Sequence, residues 1–539
     1  MTQRFISSPL KHPWWSPYRN IGPPARTVDE WSIIAVLDEI KQKPDWQTKL
    51  NEPKIREKWR NEIREQLSSQ ITTTDDLVDI IFGDLRWIMK MEETILPFKI
   101  SIDEKIITAD NLIPISVSSL FISQVDDLKQ SFDELDYHPN SSNQVIDLVH
   151  PSLYPLQYGG TPVFCEDGSL EICKFDNDII VAKESVSDWG ISKDYQWLPS
   201  LFKYDFNKKK FTIESYINNL HPVKHKLLYQ SIESIFNLVI PGLNYVLSRQ
   251  ASNHYLRIDW PGYEPYTKEY YSKVDAIFDT DEDDAKQEEE YEKLETTKLQ
   301  YLLPPSLEKN GPKTDKSVDL SSFESVKVIV KLADIELTPT NPKYNGGSWH
   351  VEGTINEDIA ATIIYYYDSD NITESKLSFR SGFEDPTYEQ GDGLFCKEIY
   401  GIVDEQKMVK NLGSVTTCKD RVLIFPNTYQ HHVDAFELKD PSKPGYRRIL
   451  ALFVVDPYND RVIATDKAPP QQEEWWNEND ENVITEKLKQ EIKKLNSSLP
   501  QSMETAKAVR EKLMEDRSPV VDEDNYDHPF EREFSLCEH

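Results

Sequence analysis

Cysteine is scarce in this chain, with five in 539 residues (Cys165, Cys173, Cys396, Cys418 and Cys537), widely spaced and without a CxxC pair. That distribution excludes a zinc framework or a disulfide-stapled secreted domain and suits a reducing compartment. Positive charge is also short. Lys and Arg number 61 against 93 for Asp and Glu, and the net charge of −32 opposes approach to a phosphate backbone or an anionic membrane surface. Nucleic acid and membrane are therefore not expected as partners. No run reaches the roughly 20 apolar residues of a membrane span, and the first residues lack the apolar core of a secretion signal. The expectation is an intracellular protein, cytoplasmic or nuclear. Up to Val28 there are four basic residues and no acidic one, as in a mitochondrial presequence, but Pro9, Pro13, Pro17, Pro23 and Pro24 prevent an amphipathic helix. An irregular arm with Trp14, Trp15 and Tyr18 packed on the body is the expected form.

Apolar residues make up 38% of the chain and aromatic ones 11%, enough for two or three cores. Thr27 and Glu30 form a capping box ahead of Trp31, Ile34, Leu37 and Ile40, so a helix is expected there. Ile55, Trp59 and Ile63 continue the helical spacing, and Thr74 with Asp75 and Asp76 opens another helical run to about Met89. From Pro97 to Lys203, short β-branched runs (Phe98 to Ile102, Leu112 to Val117, Ile179 to Val181) are broken by turn residues. A helix is expected from Lys224 to Val239. Between Asp279 and Glu295, ten of seventeen residues are acidic, the mark of a solvated linker or short polar helix. After Ser317, β-rich runs follow at short spacing: Val326 to Leu337, Ala360 to Tyr367, Ser375 to Phe379, Arg421 to Phe425, His431 to Leu438 and Arg447 to Val455. They indicate a sandwich or barrel. Ile484, Leu488, Ile492 and Leu495 then mark a last helical stripe. The expected organisation is α+β: a helical and mixed region over 1–270, an acidic insertion over 271–317, a β domain over 318–465 and a helical extension over 466–539.

Two histidines and one carboxylate on one side of a metal are the ligand set of non-haem Fe(II) oxygenases, leaving positions open for co-substrate and oxygen. A strand supplies part of this set as His-x-Asp/Glu, because alternate residues share a face. The chain holds two such triplets, His350-Val-Glu352 and His432-Val-Asp434. The first follows the turn Gly346-Gly-Ser-Trp349, precedes a β-rich run and has a later histidine, His431, in Phe425-Pro-Asn-Thr-Tyr-Gln-His431. Downstream of the second lie only His528 and His539, in a tail without strand character. The metal ligands expected are His350, Glu352 and His431. His221 and His225 have the spacing of a helical metal pair, but Pro222 marks a helix start and no third ligand is evident, so a structural role is expected. One of Tyr365, Tyr366 and Tyr367 facing inward could reach a bound molecule.

Gly346-Gly-Ser-Trp-His-Val-Glu-Gly353, Tyr365-Tyr-Tyr-Asp-Ser-Asp-Asn-Ile-Thr-Glu374, Phe425-Pro-Asn427 with Gln430-His431, and Arg447-Arg-Ile-Leu-Ala-Leu-Phe453 together resemble a large, mainly fungal family. It is catalogued as a domain of unknown function related to the Fe(II)/2-oxoglutarate dioxygenases. The likeness extends to His150-Pro-Ser-Leu-Tyr-Pro155, Trp197-Leu-Pro199, Pro469-Pro-Gln-Gln472 and Leu536-Cys-Glu-His539. It implies a C-terminal double-stranded β-helix, or jelly-roll barrel, with Fe(II) on His350, Glu352 and His431. It also implies an arginine on the last strand pairing with the distal carboxylate of 2-oxoglutarate. Arg447 and Arg448 face opposite ways on a strand, and the family pattern favours Arg447 over the alternative Arg448. The implied activity is hydroxylation or demethylation of a small-molecule or protein substrate, with succinate and carbon dioxide as co-products. The other reading of the same residues is a catalytically silent barrel serving as an interaction module.

Overall fold

The computed structural model describes residues 8–15, 22–68, 74–175, 187–252, 257, 268–279, 283–295, 304–312, 316–388, 392–477, 483–517 and 528–536. Its centre is a nine-stranded antiparallel sheet. Val145–Val149 (β1), Ser325–Leu337 (β2), Ile359–Asp370 (β4), Arg421–Pro426 (β7) and Gly445–Val455 (β10) form its middle, and β7, β4, β10 and β2 are consecutive neighbours. Both β1 and the strand Ser200–Asp205 pair with the far edge of β2, so residues well before 318 complete this sheet. A smaller sheet lies against it: Ser375–Gly382 (β5) between Val409–Thr417 (β6) and Gln430–Val433 (β8), with Lys343–Tyr344 (β3) paired to Phe436–Glu437 (β9) nearby. The chain is thus mixed α and β with large antiparallel sheets.

Alternation along β10 shows how the sequence sorts its cores. Leu450, Leu452 and Val454 enter the cluster shared with the helices Val28–Lys41 (α1), Thr74–Thr94 (α2), Ile115–Gln130 (α3) and Lys226–Ala251 (α4). Ile449, Ala451 and Phe453 enter a second cluster with Phe379 of β5, Val415 of β6, Phe425 of β7 and Val433 of β8, between the two sheets. The large sheet is apolar on both faces because both are covered, so its strands read as continuous β-branched and aromatic runs. On β4, Tyr365 and Tyr367 face the helices while Tyr366 faces the smaller sheet.

The helical expectations are met at Thr27, where the capping box forms in full, and at α2. Three readings need correction. The run Leu112–Val117 is not a strand; α3 starts at Ile115, and its buried Phe121, Val125 and Leu128 show that helical spacing outweighs the β-branched content of its first turn. The helix expected to end at Val239 runs on to Ala251 through Pro241. Packing supplies the reason: Leu243, Val246 and Leu247 beyond the proline are fully buried, which offsets the missing backbone donor. The third is at His350, which forms only an isolated bridge and lies outside any strand. In the acidic segment the described part, Asp284–Glu295, is a helix. Trp14 lies edge-on to Phe530, and Trp15 is buried. Tyr18, Ile179 to Val181, Cys537 and His539 fall outside the described residues. Among the described residues the four cysteines are free, and no helix is long and apolar enough to cross a membrane.

Candidate metal centre

Two stretches of backbone build the site. His350 and His431 exchange both main-chain hydrogen bonds, His350 N to His431 O at 3.1 Å and His431 N to His350 O at 2.9 Å. Their rings therefore lie side by side with centroids 4.4 Å apart. Gly346 sets this approach. Its φ is +95°, and a Cβ there would meet Val433 O at 2.9 Å, so a side chain would push the segment off β8. Glu352 lies past the bridge, where no ladder continues. Asn427 takes the place of a strand: its Oδ1 accepts from Glu352 N at 2.9 Å and its Nδ2 donates to Glu352 O at 2.7 Å. The side-chain amide thereby fixes the backbone that aims the carboxylate.

Glu352 and His431 are buried, and His350 is half exposed. Glu352 Oε1 is 3.7 Å from His350 Nε2 and 3.6 Å from His431 Nε2. These separations are long for hydrogen bonds and close to the about 3.0–3.6 Å between neighbouring ligands that each sit about 2.1 Å from one ion. His350 Nδ1 is 2.8 Å from Ser348 O, an acceptor only, so Nδ1 carries the proton and Nε2 keeps its lone pair. Burial works against the charge on Glu352, but the two imidazoles prevail and hold its carboxyl well below the usual range. Burial and the neighbouring His350 charge push His431 down to about 4, leaving it neutral at physiological pH. Loss of solvent opposes protonation of His350, but Glu352 outweighs it and raises that group. Two neutral-capable imidazole nitrogens and one ionised carboxylate oxygen converge on one point, a donor set that fits a divalent transition metal.

His432 lies on the opposite face. It pairs with its own triplet's Asp434 at 3.3 Å and packs on Trp349. Arg447 and Arg448 also diverge. Arg448 turns toward the helices and meets Asp126 at 2.9 Å and Asp334 at 3.6 Å. Arg447 is buried between the sheets with its guanidinium 4.8 Å from the centre of the Tyr366 ring, and it makes no ion pair among the described residues.

A second group, His138, Asp147 and His150, also brings three ligand-type atoms within 4.8 Å of one another. Sequence reading passed over it because the residues have no metal-site spacing. Its hydrogen bonding differs. His150 Nδ1 accepts the backbone N–H of Ser152 at 3.2 Å, which places the proton on Nε2 and leaves no lone pair for a metal. His221 and His528, each also followed by proline, accept the N–H two residues on in the same way. The expected structural role of His221 has this form. Asp147 is moreover already met by Arg510 at 3.3 Å.

Residues 75–479 match the family profile described as "Protein of unknown function (DUF4246)", and residues 2–62 match its N-terminal domain. The chain belongs to the DUF4246 family. No curated protein matches it. Among solved structures this DUF4246 chain is similar to the Fe(II)/(alpha)ketoglutarate-dependent dioxygenase TqaL, at 10% identity and a TM-score of 0.27, over 69% of this chain and 88% of that one. It is also similar to a Trichoplax adhaerens prolyl hydroxylase in complex with a hypoxia inducible factor peptide fragment, at 10% identity and a TM-score of 0.21, over 77% and 95%. A third is IDO from Bacillus thuringiensis, at 10% identity and a TM-score of 0.17, over 25% and 46%.

Proposed function

We propose that the protein is an Fe(II)/2-oxoglutarate-dependent dioxygenase that hydroxylates or demethylates a small-molecule or protein substrate. The observation that carries this reading is the pair of imidazole Nε2 atoms directed at one oxygen of Glu352, with the His350 proton committed to Ser348. The strand order supports a double-stranded β-helix within 318–465: β7, β4, β10 and β2 in one sheet face β6, β5 and β8, and the His350–His431 bridge joins the segment before β4 to the smaller sheet.

His350, Glu352 and His431 would hold Fe(II), which supplies the redox chemistry that joins dioxygen to decarboxylation of 2-oxoglutarate, giving succinate, carbon dioxide and one oxygen atom for a substrate C–H bond. The chain's own residues do the rest. Arg447 has no carboxylate of its own among the described residues and offers its fork to the distal carboxylate of 2-oxoglutarate. Tyr366 holds the guanidinium plane from beneath. Phe379 and Phe425, with ring centroids 6.3 and 5.0 Å from that of His431, exclude water from the buried side. Anaerobic addition of 2-oxoglutarate to the Fe(II)-loaded protein tests the proposal through the visible charge-transfer band of the chelate. No band, or a band that survives His350→Ala, overturns it in favour of a silent binding module.

A further inference from the structure

Asn427 accounts for the placement of Glu352, but the two histidine ligands have less to hold them. His350 belongs to no strand, its bridge to His431 is isolated, and its side chain is half exposed. A brace can act on the residue just before each ligand. Along an extended chain neighbouring side chains point to opposite faces, so with His431 directed between the sheets beside Phe379 and Phe425, Gln430 turns to the outer face of the smaller sheet. Trp349 is on that outer face too, because it packs on His432 with ring centroids 4.1 Å apart.

Arg380 of β5 reaches both. In the register of the smaller sheet Arg380 stands opposite Gln430, and Phe379 opposite His431. Arg380 Nε donates to Gln430 Oε1 at 2.5 Å, and the guanidinium carbon lies over the Trp349 ring, 4.9 Å from its centre. Because β8 lies between β5 and the segment bridged to it at His350, this one side chain spans β8 and ties three stretches of chain together. An ordinary ion pair does not explain the arrangement. The one carboxylate that Arg380 meets among the described residues is Glu531, at 3.4 Å, and Lys407 already meets Glu531 at 2.5 Å. The short bond goes instead to a neutral amide. A guanidinium is flat, so it can donate in its own plane and lie over an indole at the same time, which an ammonium does not reproduce.

We propose that Arg380 is a positioning residue of the metal centre: by fixing Trp349 and Gln430 on the outer face, it sets the separation of His350 and His431 on the inner one. It acts only through the residues that precede the two histidines. The proposal rests on the metal centre of the oxygenase reading and extends it to a side chain outside the ligand motifs.

The test uses Co(II) as the probe with the full-length protein, its affinity read by chelator competition and its coordination by the visible d–d bands. Arg380→Met keeps the apolar stem and Arg380→Lys keeps the charge, and both are expected to weaken Co(II) binding roughly 10-fold and to shift the bands. Lys407→Met, which removes the other cation from Glu531, is expected to change neither. In metal-free protein labelled at histidine, the nuclear Overhauser contact between the His350 and His431 rings, whose centroids are 4.4 Å apart, is expected in the wild type and in Lys407→Met and is expected to be lost in Arg380→Met. Unchanged affinity and bands in Arg380→Met overturn the proposal. An equal loss in Lys407→Met overturns it as well, since docking of the 528–536 segment is then the cause, and so does full recovery in Arg380→Lys, since charge is then the cause. If Co(II) fails to bind the wild type, the oxygenase reading falls, whereas the ring contact in metal-free protein still decides for Arg380 if Arg380→Met loses it and against Arg380 if it persists.

Discussion

The two histidine–carboxylate groups of this protein each bring two imidazoles and one carboxylate within 4.8 Å, and they differ in where each ring's other nitrogen is bonded. At His350 a carbonyl takes the Nδ1 proton and frees Nε2, whereas at His150 a backbone N–H occupies Nδ1 and puts the proton on Nε2. Proximity makes both groups look like metal sites; proton placement leaves a lone pair free at His350 Nε2 and none at His150. Charge agrees with that division. Among the described residues the Glu352 carboxylate pairs only with the two imidazoles, while Asp147 already has the guanidinium of Arg510.

The largest expected effect tests the division directly. Metal analysis after Fe(II) or Zn(II) loading should give one ion per chain, lost on His350→Ala or His431→Ala with affinity reduced more than about 100-fold, and kept in His150→Ala. Two ions per chain, with one removed by His150→Ala, would break the comparison. A smaller effect is expected from Asn427→Ala, which leaves every ligand in place but frees the Glu352 backbone. Metal affinity should fall about 10-fold, and unfolding free energy by about 1–3 kcal/mol, measured by competition with a chelator and by urea titration. Unchanged affinity would show that the bridge at His350 positions the carboxylate unaided.

The pH response should separate His350 from His150 by sign in metal-free protein, with His431, driven down to about 4, adding to the acid limb. His150 is driven down to about 3, chiefly by burial. Between its unfolded value of about 6.5 and about 3 the unfolded chain takes up the proton first, so stability falls as pH falls, by at most about 1.4 kcal/mol per unit. His350 is raised, so its contribution is complete below about 6.5 and is lost as pH rises through its folded value. His150→Gln should flatten the acid limb of a pH–stability curve, and His350→Gln the limb near neutrality. The smallest effect is expected at the other triplet: His432→Ala should change metal affinity less than about 2-fold, since its partner Asp434 lies with it on the opposite face. A tenfold loss there would show that the register of β8 differs in solution.

Local signals made much of this readable. The capping box at Thr27 produces its helix because both reciprocal bonds lie within four residues, and the β-rich runs after residue 317 are strands because their apolar faces are covered on both sides. The helix at Ile115 was masked by the β-branched residues of its first turn although the spacing beyond them is helical, and the continuation past Pro241 was not readable, since burial against strands distant in sequence outweighs the missing backbone donor. Pro-Asn427 was visible as part of a motif, but its role as a substitute strand depends on Glu352 arriving alongside.

Residue type and motif order already pointed to His350, Glu352 and His431 as candidate ligands, and two-residue alternation determined that Arg447 and Arg448 face opposite ways. Tertiary structure decided the rest. It brought Asp147 to the same face as Arg447, because a sheet aligns residues by register across strands far apart in the chain. It also decided which histidines keep a free lone pair, because that depends on the single backbone group each ring meets after folding.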